Sequence, residues 1–142
     1  MLLHNSYKIC VPTYQLISPT LGAYYRYGNA TGAVYDNTTH FLRISTAQYS
    51  ELESLFFTVD DTTYELNPNA QIIPRTINTL SGFGGDADHL YLVVFDLGPE
   101  LSDEVGFIAG IPFLQRYYSV YDNDNGRVGF ARTRFTDATD IN

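Results

Sequence analysis

Carboxylates are the side chains best supplied for chemistry, with 11 Asp and 5 Glu among 142 residues. Asp60 and Asp61 are adjacent and suggest a pair for general acid and base work. Neighbours along an extended chain point to opposite faces, however, so the two cannot converge on one water. A solvated turn between the flanking runs 55–59 and 63–66 accounts for them better. His4, His40 and His89 have no second His at i+3 to i+5 and no clustered Cys, which argues against a zinc site. No Gly-x-Ser-x-Gly elbow accompanies the serines and His89, so a Ser/His triad is not indicated. The glycine cluster at 81–86 is followed by no Lys-Ser/Thr and opens no helix, unlike a phosphate cradle. Two tyrosine groups, Tyr24, Tyr25, Tyr27 and Tyr117, Tyr118, Tyr121, suit sugar stacking or the edge of a core equally well.

The elements that must position these groups are mostly strands. Tyr (12), Phe (9) and Gly (11) are abundant while Ala-Leu-Glu-Lys runs are scarce, a composition of strands joined by tight turns. The length suits one domain, and a hydrophobic content of 44% is enough to enclose a core. A net charge of -8 excludes the clustered Lys and Arg that nucleic acid requires. It fits a protein working at low pH, where protonation relieves self-repulsion, and fits a merely soluble acidic domain as well. Cys10, the single cysteine, cannot form an internal disulfide and leaves the compartment open. Residues 1–17 make a poor signal peptide, with Lys8 in their middle and polar breaks at Asn5, Ser6, Pro12 and Gln15. No stretch approaches the roughly 20 apolar residues that cross a bilayer, so no membrane is expected as a partner. Asn29-Ala30-Thr31 and Asn37-Thr38-Thr39 are sequons, making Asn29 and Asn37 candidate N-glycan acceptors if the chain enters the secretory pathway.

Along the chain, 41–44 alternates as a strand, and Ser45 with Gln48 has capping-box spacing for a short helix over 46–54. A hairpin follows over 55–66, then an extended segment over 67–77 closed by Pro74, then a flexible loop at 81–86. Residues 90–95 form the most buried-looking strand, ended by a Gly98-Pro99 turn. The last third parses as an apolar strand ending at Gly110, a helical turn begun by Pro112, and a hairpin around Asn125-Gly126 that returns over 127–131.

That last succession, Phe107-Ile108-Ala109-Gly110-Ile111-Pro112-Phe113-Leu114-Gln115-Arg116-Tyr117-Tyr118-Ser119-Val120-Tyr121-Asp122 and then Asn125-Gly126-Arg127-Val128-Gly129-Phe130-Ala131, closely resembles the end of pepsin-like aspartic peptidases (family A1). The stretches 30–34 and 46–58 resemble the fungal polyporopepsin type, and the similarity runs from Ala23 to Thr136. The resemblance implies a mostly β fold with short helices, namely the single C-terminal lobe, a distorted β barrel, of the acid protease fold. It divides the chain into a divergent N-terminal segment (1–22), the lobe (23–136) and a C-terminal tail (137–142). It also implies an extracellular location, although the chain carries no signal peptide of its own.

In that family each of two lobes contributes an Asp from an Asp-Thr/Ser-Gly loop, and the pair shares a proton and activates water against a peptide bond. None of the 11 Asp residues here lies in such a loop; Asp61-Thr62-Thr63 comes nearest and lacks the glycine. Where the resemblance places the second-lobe loop, the chain reads Lys8-Ile9-Cys10-Val11-Pro12-Thr13, with no carboxylate. Ile111 stands where relatives commonly carry Asp, and Ala109 where Asn or a larger residue is common. The expectation is a fragment of an acid endopeptidase that is inactive alone, with no catalytic residue, metal or cofactor. Its partner would be a peptide or protein substrate, and only when joined to an N-terminal lobe. Ile108, matching a position that borders the primed substrate pockets, is the one substrate-contacting residue the resemblance carries over, and a buried strand position is compatible with it. The alternatives are a non-catalytic peptide- or glycan-binding domain that reuses the lobe, and a self-associating dimer copying the two-lobe arrangement.

Overall fold

A computed structural model describes residues 2–4, 8–11, 14–15, 21–59, 61–95 and 105–140, with side chains described within 25–59, 61–95 and 108–140. The strands are β1 (Leu2–His4), β2 (Lys8–Val11), β3 (Tyr14–Gln15), β4 (Val34–Tyr35), β5 (Leu42–Ser45), β6 (Leu55–Val59), β7 (Thr62–Leu66), β8 (His89–Tyr91), β9 (Val105–Ile108), β10 (Tyr117–Asp122) and β11 (Arg127–Arg132). The helices are α1 (Leu21–Thr31), α2 (Thr46–Ser50) and α3 (Ile111–Leu114). The pairing is antiparallel, in a four-stranded sheet ordered β3-β2-β6-β7, a three-stranded sheet β4-β5-β8, and two two-stranded sheets, β1-β9 and β10-β11.

The core lies between these sheets. Leu42 and Ile44 alternate inward along β5, and Leu55 and Phe57 along β6, as the two-residue period of a strand requires. They meet Tyr27, Leu66, Ile72, Leu90, Leu92, Phe113 and Tyr117 in one cluster. Toward the C-terminus the cluster is aromatic. Phe113 stacks on Tyr117 (centroids 4.8 Å apart), with Phe130 edge-on at 5.1 Å, the offset and edge-to-face geometries that ring quadrupoles favour.

Local sequence rules explain much of this frame. Ser45 caps α2 through the expected capping box, its hydroxyl accepting the Gln48 N–H while the Gln48 side chain returns to Ser45. The helix stops at Ser50 instead of 54, because Leu52 has to turn into the core and the Ser50 hydroxyl bonds back to the Ala47 carbonyl. Segment 67–77 is not extended. Asn67 caps Ala70 N–H and Pro68 opens a 3-10 turn at Pro68–Gln71, and a second turn follows at Arg75–Ile77. The strand expected over 90–95 is as buried as expected at Leu90, Tyr91 and Leu92 but is regular only over His89–Tyr91. Beyond that it divides its hydrogen bonds between two neighbours, Leu92 N–H to Leu42 O and Val93 N–H to Gln71 O. The turn expected at Gly98-Pro99 lies outside the described residues.

Helix α1 is not anticipated by the sequence, since two glycines and three tyrosines give it poor intrinsic propensity. Packing holds it instead, through buried Tyr27 and through Gly28, which lies against Leu42. It ends in a Schellman motif, with Gly32 at φ 64°, Ala33 N–H on Gly28 O (2.9 Å) and Gly32 N–H on Asn29 O (3.3 Å).

Candidate functional site

Among the described residues, Asp36 and Asp86 meet around Arg43 of β5. Arg43 Nη1 lies 3.0 Å from Asp36 Oδ2 and 3.8 Å from Asp86 Oδ2, and His89 Nδ1 lies 2.8 Å from Asp86 Oδ1. Asp36 begins the turn between β4 and β5, where its Oδ1 accepts the N–H groups of Thr38 (2.8 Å) and Thr39 (3.0 Å). The Thr39 N–H, with Thr38 and Arg43 adding to it against the effect of burial, holds the Asp36 carboxyl below its usual range. The His89 ring does most to lower Asp86, and the backbone N–H groups of Asp88 and His89 assist. A shared-proton pair needs two carboxylates facing each other so that one retains its proton. A guanidinium between them has the opposite effect, so this cluster ties the β4–β5 turn and the 81–86 loop to β5 and lacks the arrangement of a shared-proton pair.

The glycine cluster lets that loop close. A Cβ on Gly85 would stand 2.8 Å from the Tyr91 ring and 2.9 Å from the Asn78 carbonyl oxygen, so only glycine fits. The loop expected to be flexible is fastened by Asp86 N–H on the Tyr91 hydroxyl (3.1 Å) and by Phe83, edge-on to Tyr91 (5.2 Å) and stacked on Phe41 (5.6 Å). No group of three or more His, Cys, Asp or Glu among the described residues is placed to hold a metal. No helix among them is long and apolar enough to cross a membrane.

The residues singled out from sequence lie on separate elements. Ile108 ends β9 opposite Leu2, half-buried, followed by buried Ala109 and by Ile111, which is 69% exposed. Asn29 is exposed on α1, and Asn37 is exposed in the β4–β5 turn. Asp61 is exposed in the β6–β7 turn, while Asp60 lies outside the described residues. The tyrosine groups divide between core and surface. Tyr27 is buried and bonds Gln71 Oε1 (2.9 Å), burial pushing its phenol far above the usual value, whereas Tyr25 is exposed. Tyr117 is buried, its hydroxyl donating to Glu65 O (2.7 Å), while Tyr118 and Tyr121 are exposed.

Two features escape sequence reasoning. Arg116 is 1% exposed, and its guanidinium donates to Asn69 Oδ1 (2.7 Å), Phe135 O (3.1 Å) and Ala138 O (2.5 Å), desolvation lowering its pKa. Its own carbonyl accepts from Thr133 and Thr136, so this residue pins the chain beyond β11 to the core. The second is the exposure of the β10-β11 hairpin, itself expected from the sequence, which carries exposed apolar side chains on both faces. Tyr118 and Val120 are 66% and 48% exposed on one, and Tyr121 and Val128 are 60% and 42% exposed on the other.

Antiparallel sheets, a few short helices and a strand–helical turn–hairpin ending define one partial lobe of the pepsin-like aspartic protease fold, and the comparisons agree. The crystal structure of aspartic proteinase from Irpex lacteus superposes with a TM-score of 0.83 at 43% identity, over 94% of this chain and 43% of that one. The family described as eukaryotic aspartyl protease matches residues 14–133, and this chain belongs to it. It is similar to polyporopepsin of Irpex lacteus, 53% identical over 117 residues, which is 82% of this chain and 34% of the relative. It is also similar to pepsin A of Sus scrofa, 31% identical over 96 residues, 68% of this chain and 22% of the relative. The chain thus spans about a third or less of the length of these two relatives.

Proposed function

We propose that this chain is the C-terminal lobe of a secreted pepsin-like endopeptidase and is inactive without a second lobe. Joined to an N-terminal lobe, it would form one wall of a peptide-binding cleft, with Ile108 against the primed side of the substrate. Hydrolysis in the family is general acid–base attack of water on the amide carbonyl by two carboxylates sharing a proton, one from each lobe. Neither Asp-Thr/Ser-Gly loop is present in this sequence. The Asp36–Asp86 pair cannot substitute, since Arg43 between them favours two ionised carboxylates.

The observation that carries this proposal is the β10-β11 hairpin. A self-sufficient binding domain would present a polar outer face, whereas this hairpin exposes Tyr118, Val120, Tyr121 and Val128 on a two-stranded sheet. Such a sheet is marginal by itself and gains from a covering partner. The test is cleavage of an unfolded protein by the purified chain at acidic pH, with and without a transition-state mimic of aspartic peptidases. No inhibitable cleavage is expected. Inhibitor-sensitive cleavage means that another carboxylate fills the missing role and overturns the proposal.

A further inference from the structure

The two sequons have the same pattern but stand on different platforms. Asn37 follows β4 by two residues, in a turn closed by Asp36 and by His40 N–H on Asp36 O (2.8 Å). The Thr39 hydroxyl accepts Phe41 N–H (3.3 Å), so the turn is built without the Asn37 side chain, which is exposed. Two residues before it, Tyr35 is 46% exposed on the edge of the β4-β5-β8 sheet. Its hydroxyl hydrogen-bonds His40 Nδ1 (3.0 Å) with the two rings 6.3 Å apart. His40 has a φ of 62°, a conformation uncommon for a side chain of its size, and it anchors the exposed ring from there.

Asn29 stands on α1, where helical spacing places the exposed Tyr25 one turn before it. The residue two before it, Tyr27, is 3% exposed and bonded to Gln71 within the core. Helical spacing turns Asn29 and Thr31 to different sides.

We propose that Asn37 is an N-glycan acceptor whose first sugar rests on the ring of Tyr35. Asn37 Nδ2 forms a bond to the anomeric carbon of an oligosaccharide carried on a lipid diphosphate. The carbon–oxygen bond to the diphosphate breaks, the lipid diphosphate leaves with that electron pair, and one amide proton passes to a base of the transferase. The apolar C–H face of a pyranose then lies against the electron-rich face of the held phenol ring. Occupancy in the natural host rests on the secretory pathway proposed above.

The test supplies entry to that pathway independently. The full chain is translated behind a cleavable secretory leader into microsomes derived from the endoplasmic reticulum, with leader cleavage reporting entry. Asn37→Gln should carry one endoglycosidase-sensitive glycan fewer than wild type. A cleaved but unmodified wild type, or an Asn37→Gln variant with as many glycans as wild type, overturns the assignment. Removing the glycan from folded protein should lower Tm by a few degrees in wild type and in Tyr35→Phe, and leave Tyr35→Ala unmoved. An equal drop in Tyr35→Ala overturns the role given to the ring. The secretory proposal fails separately, if the protein without an added leader stays inside the cells that make it.

Discussion

Replacing Arg116 by Met should remove a large share of the stability of this lobe. Met roughly preserves the buried stem while deleting the guanidinium that holds Asn69 Oδ1, Phe135 O and Ala138 O. A hydrogen bond from a charged donor contributes about 1.5–3 kcal/mol net. Three such bonds are not additive, and removing a buried charge recovers some desolvation cost, so the expected loss is about 3–5 kcal/mol. A domain of this size has a total of roughly 5–15 kcal/mol to lose. Equilibrium urea unfolding gives the loss directly, and amide exchange gives its location. Protection should fall first at 133–138, where the Arg116 carbonyl and side chain both hold the chain. Arg116→Lys should fall between, since an ammonium keeps the charge but lacks the planar fork that reaches separated acceptors. A Met variant within about 1 kcal/mol of wild type, less than one charged hydrogen bond, with exchange at 133–138 unchanged, would refute the clamp.

Gly85→Ala should cost about 1–3 kcal/mol by overpacking, read as a lower urea midpoint, because the new Cβ meets Tyr91, Phe83 and a backbone oxygen at under 3.0 Å. The Asp36 carboxyl is depressed in the folded state, so its contribution is present above the ordinary carboxylate value near 3.9 and is lost as pH falls through the folded value. The Tm gap between wild type and Asp36→Asn should therefore be widest near neutrality and close on acidification; a gap that widens in acid contradicts this sign. Tyr118→Lys with Val120→Lys, both on the open face of the hairpin, should leave the urea midpoint nearly unchanged and reduce binding of an apolar dye. A large loss of stability would mean that the face is packed against this chain and is not left for a partner.

What was legible in the sequence was local. Ser45 with Gln48, Asp61 between apolar runs, and Asn125-Gly126 each carry their rule within a few residues, and each lies in the element expected of it. The family was legible for the same reason, because the 107–131 run is contiguous. Much of what failed required partners distant in sequence. Helix α1 depends on Leu42, and no window over its Tyr-Gly composition announces it, although Gly32 was an available stop signal. Asn67-Pro68 was a cap signal that went unread. The Arg43 cluster joins residues 36, 43, 86 and 89, and the Arg116 clamp joins 69, 116, 135 and 138, spacings that no short motif records.

The placement of the ionisable groups separates stability from chemistry. Asp36 and Asp86 are spent on a cation, and Arg116 on neutral oxygens, so each described contact of these groups fastens a loop or the chain after β11 onto the sheets. Proton transfer would require the reverse, a carboxyl kept away from cations and close to another carboxylate. In the Arg43 cluster, the pairings that hold the loops are therefore the same ones that keep Asp36 and Asp86 from the arrangement of a shared-proton pair. Exposed apolar side chains lie on other elements, the β10-β11 hairpin among them. The inactivity proposed for the isolated chain is therefore compatible with a fully folded lobe.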